Sequence, residues 1–245
     1  MSHRRSQYAG SPAVDSTSSG NNGTQFGGVT FGATGQMDGA TTYTNGATTP
    51  IEYVDTTSAP VLSPTGSFTY RLWVKVTGTV DATGSHFLDR TAATAGNPLV
   101  SLLGMGTGTQ FCYQTRYDDG TGLGGPCGGS YSSSFALVEM VRQFNTAFRL
   151  YVNGILVAST TDSGSKALTP PIPRLGRHAT FTTGTPGLNG SIDEFRIQSV
   201  ARSADWILTE YNNESSPGTF YSVGGEQTFS SAGVGEQVRP RNQIL

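Results

Sequence analysis

The sequence predicts an all-β antiparallel sandwich with one short C-terminal helix and extended polar termini. Charged residues make up only 13% of the 245 positions, and there are 33 glycines and 12 prolines. Such a composition favours many short strands joined by tight turns over amphipathic helices. Strand-like runs are interrupted at short intervals by Gly, Pro, Asn or Asp, with no internal repeat at a fixed period. The length suits one large sandwich core or two small domains, and the unbroken series of runs favours one.

Residues 1–25 are mostly Ser, Gly, Asn and Thr and read as an extended polar arm; residues 26–224 carry the strand series; residues 225–245 read as a tail. The run GSFTYRLWVKV (66–76) alternates strictly. Phe68, Tyr70, Leu72, Val74 and Val76 share one face, and Thr69, Arg71, Trp73 and Lys75 the other, so a half-buried strand is expected. SSFALVEMV (133–141) reads as another strand. In AFRLYVNGILVAST (147–160), Asn153-Gly154 separates two β-rich runs, because both positions of a two-residue hairpin turn need positive φ. That hairpin would set Val152 opposite Ile155 and Leu150 opposite Val157. GLNGSIDEFRIQS (187–199) reads as a buried strand entered through an Asn-Gly turn. The helix starts at Ser203 as N-cap, with Asp205 in its first turn and Trp206, Ile207, Leu208 and Tyr211 following.

Four segments, in order, resemble the bacterial and phage laminin-G-like branch of the concanavalin-A-like lectin and glucanase superfamily. They are GQMDGATTYTNG with IEYVD (35–46, 51–55), GSFTYRLWVKV, RLYVNGILVAS (149–159), and PRLGR through YSVG (173–224). Trp73 stands where that family has tryptophan. The segment YSSSFALVEMV departs from the Trp-His pair that usually leads the hairpin. The resemblance implies an antiparallel jelly-roll sandwich. Glucanases of this architecture set acids at alternating positions of one strand, in an E-x-D-x-x-E type pattern. Here Asp193 and Glu194 are adjacent, Ser191 precedes and Arg196 follows, so no acid/base couple is expected and the chain reads as non-enzymatic.

The net charge of −2, without a basic stripe, argues against a nucleic-acid partner. No apolar run is long enough to span a bilayer, so no membrane insertion is expected. Cys112 and Cys127 flank a glycine-rich stretch and either close one loop or are both free. Tyr113, Tyr117, Asp118 and Asp119 form the candidate ligand site, since sugars are held by an aromatic platform with carboxylate hydrogen bonds and sites favour loops on a rigid scaffold. Asp193 lies on the same strand face as Phe195 and Ile197. A carboxylate aimed at an apolar layer must be hydrogen-bonded or bound to metal. It either satisfies backbone N–H groups of a neighbouring loop or ligates a structural Ca²⁺, as related lectin-like domains do. His3, His86 and His178 show no ligand spacing, and Gly104-Met105-Gly106-Thr107-Gly108 reads as a turn because a strand-like run follows it.

The N-terminus has two arginines but no apolar stretch after them, so it is not read as a signal peptide. Three functions follow as expectations. The first is a virion surface component (a capsid decoration or tail-associated protein), made in the cytoplasm and gripping other subunits through both termini. The second is a secreted or cell-surface adhesion module with a glycan partner. The third, weakened by the acid spacing, is a glycan hydrolase.

Overall fold

The computed structural model describes residues 13–45, 51–78, 84–90, 98–105, 109–123, 125–162, 165–178 and 187–217. Residues 1–12 of the polar arm, the whole C-terminal tail and part of the 104–108 turn lie outside the described residues. The strands are β1 (Gly23–Phe26), β2 (Thr30–Thr34), β3 (Gly39–Thr44), β4 (Tyr53–Thr56), β5 (Phe68–Val76), β6 (Ser85–Arg90), β7 (Leu99–Met105) and β8 (Gln110–Arg116). They continue with β9 (Gly122–Leu123), β10 (Cys127–Gly128), β11 (Ala136–Gln143), β12 (Ala147–Val152), β13 (Ile155–Thr161), β14 (Pro173–Leu175) and β15 (Asn189–Gln198), and helix α1 spans Ala204–Ser215.

The first sheet has the order β1-β4-β14-β6-β7-β8-β10, with β9 also paired to β8; the second runs β13-β12-β11-β5-β15-β3-β2. Every pairing between named strands is antiparallel. The inner face of β5 (Phe68, Tyr70, Leu72, Val74, Val76) packs in one apolar core with Phe87, Leu88, Leu102, Phe111 and Tyr113 of the first sheet. This is the sandwich the alternation predicts. Among the described residues no helix is long and apolar enough to cross a membrane.

Several details depart from the sequence reading. β1 begins at Gly23, and Ala13 bridges to Gly23, so the stretch read as an arm already forms the edge of the first sheet before residue 26. Asp15 fixes that edge loop by accepting the N–H groups of Thr17 and Asn21. The Asn153-Gly154 turn forms with φ of 51° and 80°, and Val152 faces Ile155. An irregularity between Leu150 and Tyr151 then slides the register, so Leu150 faces Ala158 and not Val157. Asn189-Gly190 is no turn: both residues pair with Thr44 and Tyr43 inside β15.

The outer face of β5 is buried too, against the half-buried expectation, because α1 lies over it. Ser203 Oγ accepts the Trp206 N–H and caps the helix as expected. Its inward residues are Ile207, Tyr211 and Glu214, at helical spacing, whereas Trp206 and Leu208 face solvent. Glu214 accepts from Arg71 Nη1 at 3.0 Å, from Arg71 Nη2 and from Trp73 Nε1 at 2.7 Å. Glu139, on the neighbouring strand β11, lies 3.7 Å from Arg71 Nε and is fully buried. A fully buried arginine is tolerated here because the helix brings the carboxylate that matches it.

Candidate functional site on the outer face of the first sheet

Val54, Leu88 and Leu175 point into the core, so Asp55, Asp89 and Arg174 beside them point outward, as does Thr24, which pairs with Asp55. Four of these outward residues form one row across β1, β4, β14 and β6: Thr24 opposite Asp55, Asp55 opposite Arg174, and Arg174 opposite Asp89. Arg174 grips Asp55 with both arms of its guanidinium, Nε at 2.7 Å and Nη2 at 2.8 Å. The row beside it on the same face pairs Phe26 with Tyr53. Their rings stack at 4.5 Å, and the Arg174 guanidinium lies 3.9 Å from the Tyr53 ring centre. Since β4 lies between β1 and β14, Tyr53 is sandwiched and Phe26, 41% exposed, is the outermost ring of the ladder.

Beyond Asp89 the face carries two imidazoles. On a regular strand His86 and Asp89, three apart, would point to opposite sides. The register shifts between His86 and Leu88, with Phe87 as the extra residue, and both side chains reach the outer face. Gly187 bridges both His86 and Arg177, which sets His178 beside them. The two rings meet edge-on at 4.5 Å. Asp89 Oδ2 lies 3.6 Å from His86 Nδ1 and 3.5 Å from His178 Nε2. Burial, and then the charge of His178, pushes His86 down to about 3; burial and the charges of Arg90, Arg174 and Arg177 push His178 down to about 4. Both imidazoles are therefore neutral at neutral pH. His86, Asp89 and His178 form the group of potential metal ligands among the described residues.

The residues singled out from sequence lie elsewhere. Tyr113 and Tyr117 are in the core. Tyr113 Oη donates to the Phe148 carbonyl at 3.4 Å. Tyr117 Oη donates to Asp162 at 2.5 Å, where Asp162 also holds the buried Arg142 at 2.9 Å. They therefore offer no aromatic platform. Asp118 accepts from the Thr169 N–H and hydroxyl, and Asp119 from Thr121 and Lys166, so both tie loops together. Cys112 and Cys127 are directly opposite on β8 and β10 and form a disulfide.

Asp193 does not share a face with Phe195 and Ile197. β15 bulges between Asp193 and Arg196, with Glu194 at φ 50°, so Asp193 lies opposite Trp73 on the outer side while Ile197 lies opposite Tyr70 on the inner one. Asp193 Oδ2 accepts the N–H groups of Gln36 and Met37 at 2.9 and 3.0 Å. Burial raises its pKa, and those donors oppose the shift. Glu194 turns to Arg196 instead. The two acids make no couple, and Asp193 stands apart from the histidine cluster. That cluster's nitrogen donors do not suit Ca²⁺, which takes oxygen ligands.

Sequence reasoning did not find Phe26, Tyr53 and Arg174. The alternation of Tyr53 and Asp55 was visible, but their partner Arg174 comes from a strand that inserts beside β4 from 119 residues downstream.

A family model described as the Concanavalin A-like lectin/glucanases superfamily (Laminin_G_3) matches residues 45–208. The chain belongs to that superfamily. No curated protein matches it. Among solved structures it is similar to the binding domain of Paraclostridial Mosquitocidal Protein 1, at 12% identity and TM-score 0.63, over 82% of this chain and 49% of that one. It is also similar to the botulinum neurotoxin serotype G binding domain, at 15% identity and TM-score 0.63, over 83% and 49%. A third is the serotype D ligand-binding domain in complex with N-acetylneuraminic acid, at 12% identity and TM-score 0.61, over 82% and 48%. The chain thus spans about half the length of the structures it matches, and the likeness establishes a lectin-like sandwich.

Proposed function

We propose that the protein is a non-catalytic glycan-binding domain that acts outside the cell or at its surface, using the outer face of the first sheet. The observation that carries this is the Phe26–Tyr53–Arg174 ladder beside the Asp55–Arg174 pair. A half-exposed aromatic ring offers a sugar an apolar face to stack on, and fixed carboxylate and guanidinium groups next to it orient hydroxyls. Rigid sheet residues hold this geometry without ordering cost on binding. The lectin superfamily supports the reading, as do structural neighbours that are binding domains, one of them in complex with N-acetylneuraminic acid. About half of each neighbour lies outside the match, so the proposal rests on this chain's own residues. The virion reading finds no support in the family or the neighbours, and most of the termini it relied on lie outside the described residues; it is set aside.

The test is a glycan array probed with the wild-type protein and with Phe26→Ala and Arg174→Ala. Wild type binds a defined set of glycans, and each variant weakens that binding by more than about tenfold, or 1.4 kcal/mol. None of the bound glycans is cleaved on long incubation. Binding unaffected by both variants would overturn the assignment of the face, and cleavage would overturn the non-catalytic reading.

A further inference from the structure

We infer that the protein pairs with a second copy of itself through the open edge of β13, forming a two-fold dimer in which the second sheet runs on from one protomer into the other. The first support is the contrast between edges. A sheet edge presents unpaired backbone N–H and C=O groups, and proteins blunt such edges by keeping them short, kinked, charged or covered. Three of the four edges among the described residues are blunted in this way. β1 has four residues and is already bridged by Ala13. β10 has two and is tied back by the Cys112–Cys127 disulfide. In β2 the register shifts between Thr30 and Ala33, with Gly32 at φ 77°. β13 differs: its seven residues, ILVASTT, include no charge and no proline, and none of them is buried.

The second support is what this edge fits. Near the turn β13 is irregular and Gly128 of β10 packs on the Val157 carbonyl, so that part is covered. From Ala158 to Thr161 the strand pairs regularly with β12 on one side and has no strand on the other. This run suits its own copy. A two-fold axis at Thr160 sets Thr160 against itself and the exposed Ser159 against Thr161, and opposed Ser and Thr side chains on antiparallel strands hydrogen-bond to each other. Ile155 and Leu156, 64% and 48% exposed, add an apolar contact at each end of the paired strands. Charge does not oppose the approach. The one charged residue of β12, Arg149, lies opposite Ser159 and donates to Gln143 at 2.8 Å. Its copy stands three strand spacings away, about 14 Å, beyond the screening length of about 8 Å.

The pairing also fixes how the two copies face. Opposed residues of antiparallel strands point to the same side of a sheet, so the two-fold axis runs perpendicular to it. Both first sheets then lie on one side of the dimer and both α1 helices on the other. The two Phe26–Tyr53–Arg174 ladders therefore face the same way. A glycan-coated surface meets two sites at once, which raises retention without any new contact to sugar. That use rests on the glycan-binding proposal above, whereas the pairing itself does not.

The test is sedimentation of the full chain over a range of concentrations, where the wild type is expected to run as a dimer. Thr161→Lys places a charge on the edge and gives a monomer with an unchanged far-ultraviolet circular dichroism spectrum. Thr34→Lys, at an exposed position on β2 at the opposite edge of the same sheet, stays dimeric. Thr160→Cys, on the axis, forms a disulfide between two chains under mild oxidation, since Cys112 and Cys127 are already paired. On a glycan-coated surface Thr161→Lys is retained more than about tenfold less than wild type, with the same affinity for the free oligosaccharide in solution. A monomeric wild type, a dimer that survives Thr161→Lys, or a Thr160→Cys chain that does not cross-link would each overturn the interface. Equal retention of monomer and dimer would overturn the two-site use. A dimer that binds no glycan upholds the interface and overturns the previous proposal instead.

Discussion

Glu139 is the residue whose chemistry is most displaced by the fold. It is buried beneath α1, neither carboxylate oxygen has a hydrogen-bond partner, and burial raises its pKa to about 8, against the opposing pull of Arg71. In the unfolded chain the group titrates near its ordinary 4.5. Between those values the folded state binds the extra proton, so stability falls as pH rises from about 4.5 to 8. Glu139→Gln removes that titration. It is expected to be more stable than wild type at pH 8, by on the order of a few kcal/mol, with a flatter profile from pH 5 to 8 in urea melts. A variant with the wild-type slope would show that another group sets the dependence. Tyr117 makes a second residue-scale case. Its hydroxyl serves the Asp162–Arg142 pair in the core, so Tyr117→Phe costs about 1–2 kcal/mol in the same melts and leaves glycan binding unchanged.

At the scale of elements, α1 and the bulges decide what the outer faces present. Glu214→Ala takes the carboxylate from a buried Arg71 and from the Trp73 indole, so a loss of about 3–5 kcal/mol is expected. A red shift of the fluorescence would report Trp73 meeting water as the helix lifts. The Cys112–Cys127 bridge closes a loop with a sequence separation of 15 and contributes about 3 kcal/mol, measurable as the difference between oxidised and reduced protein. Strand positions were legible in the sequence because period-two alternation in β5, the Asn153-Gly154 turn and the Ser203 cap are all local signals. The faces were not. A one-residue bulge leaves composition untouched yet moves later side chains to the other side: at Phe87 it joins His86 to Asp89, and at Glu194 it parts Asp193 from Phe195 and Ile197. The buried outer face of β5 was hidden for another reason, since the residues that cover it come from a helix over 130 residues away.

For the whole molecule, the sandwich was readable because glycine-punctuated runs leave few other ways to bury their apolar faces. The binding face was not, because it needs the sheet order β1-β4-β14-β6, which brings Phe26, Tyr53, Arg174 and Asp89 together from four separate parts of the chain. Tyr113 and Tyr117 looked like a platform in a glycine-rich setting, yet β8 carries Tyr113 into the core and Tyr117 follows it there. A chain beginning at Gly27 loses β1 and with it the outermost ring of the ladder; it is expected to melt at lower temperature and to bind no glycan. The most direct measurement is a nitrogen-15 amide titration of the assigned protein with neutral and sialylated oligosaccharides. Glycan binding by the first sheet predicts shifts clustered at Phe26, Tyr53, Asp55 and Arg174. Shifts confined to the loop of Asp118 and Asp119, or none with any oligosaccharide, would contradict it.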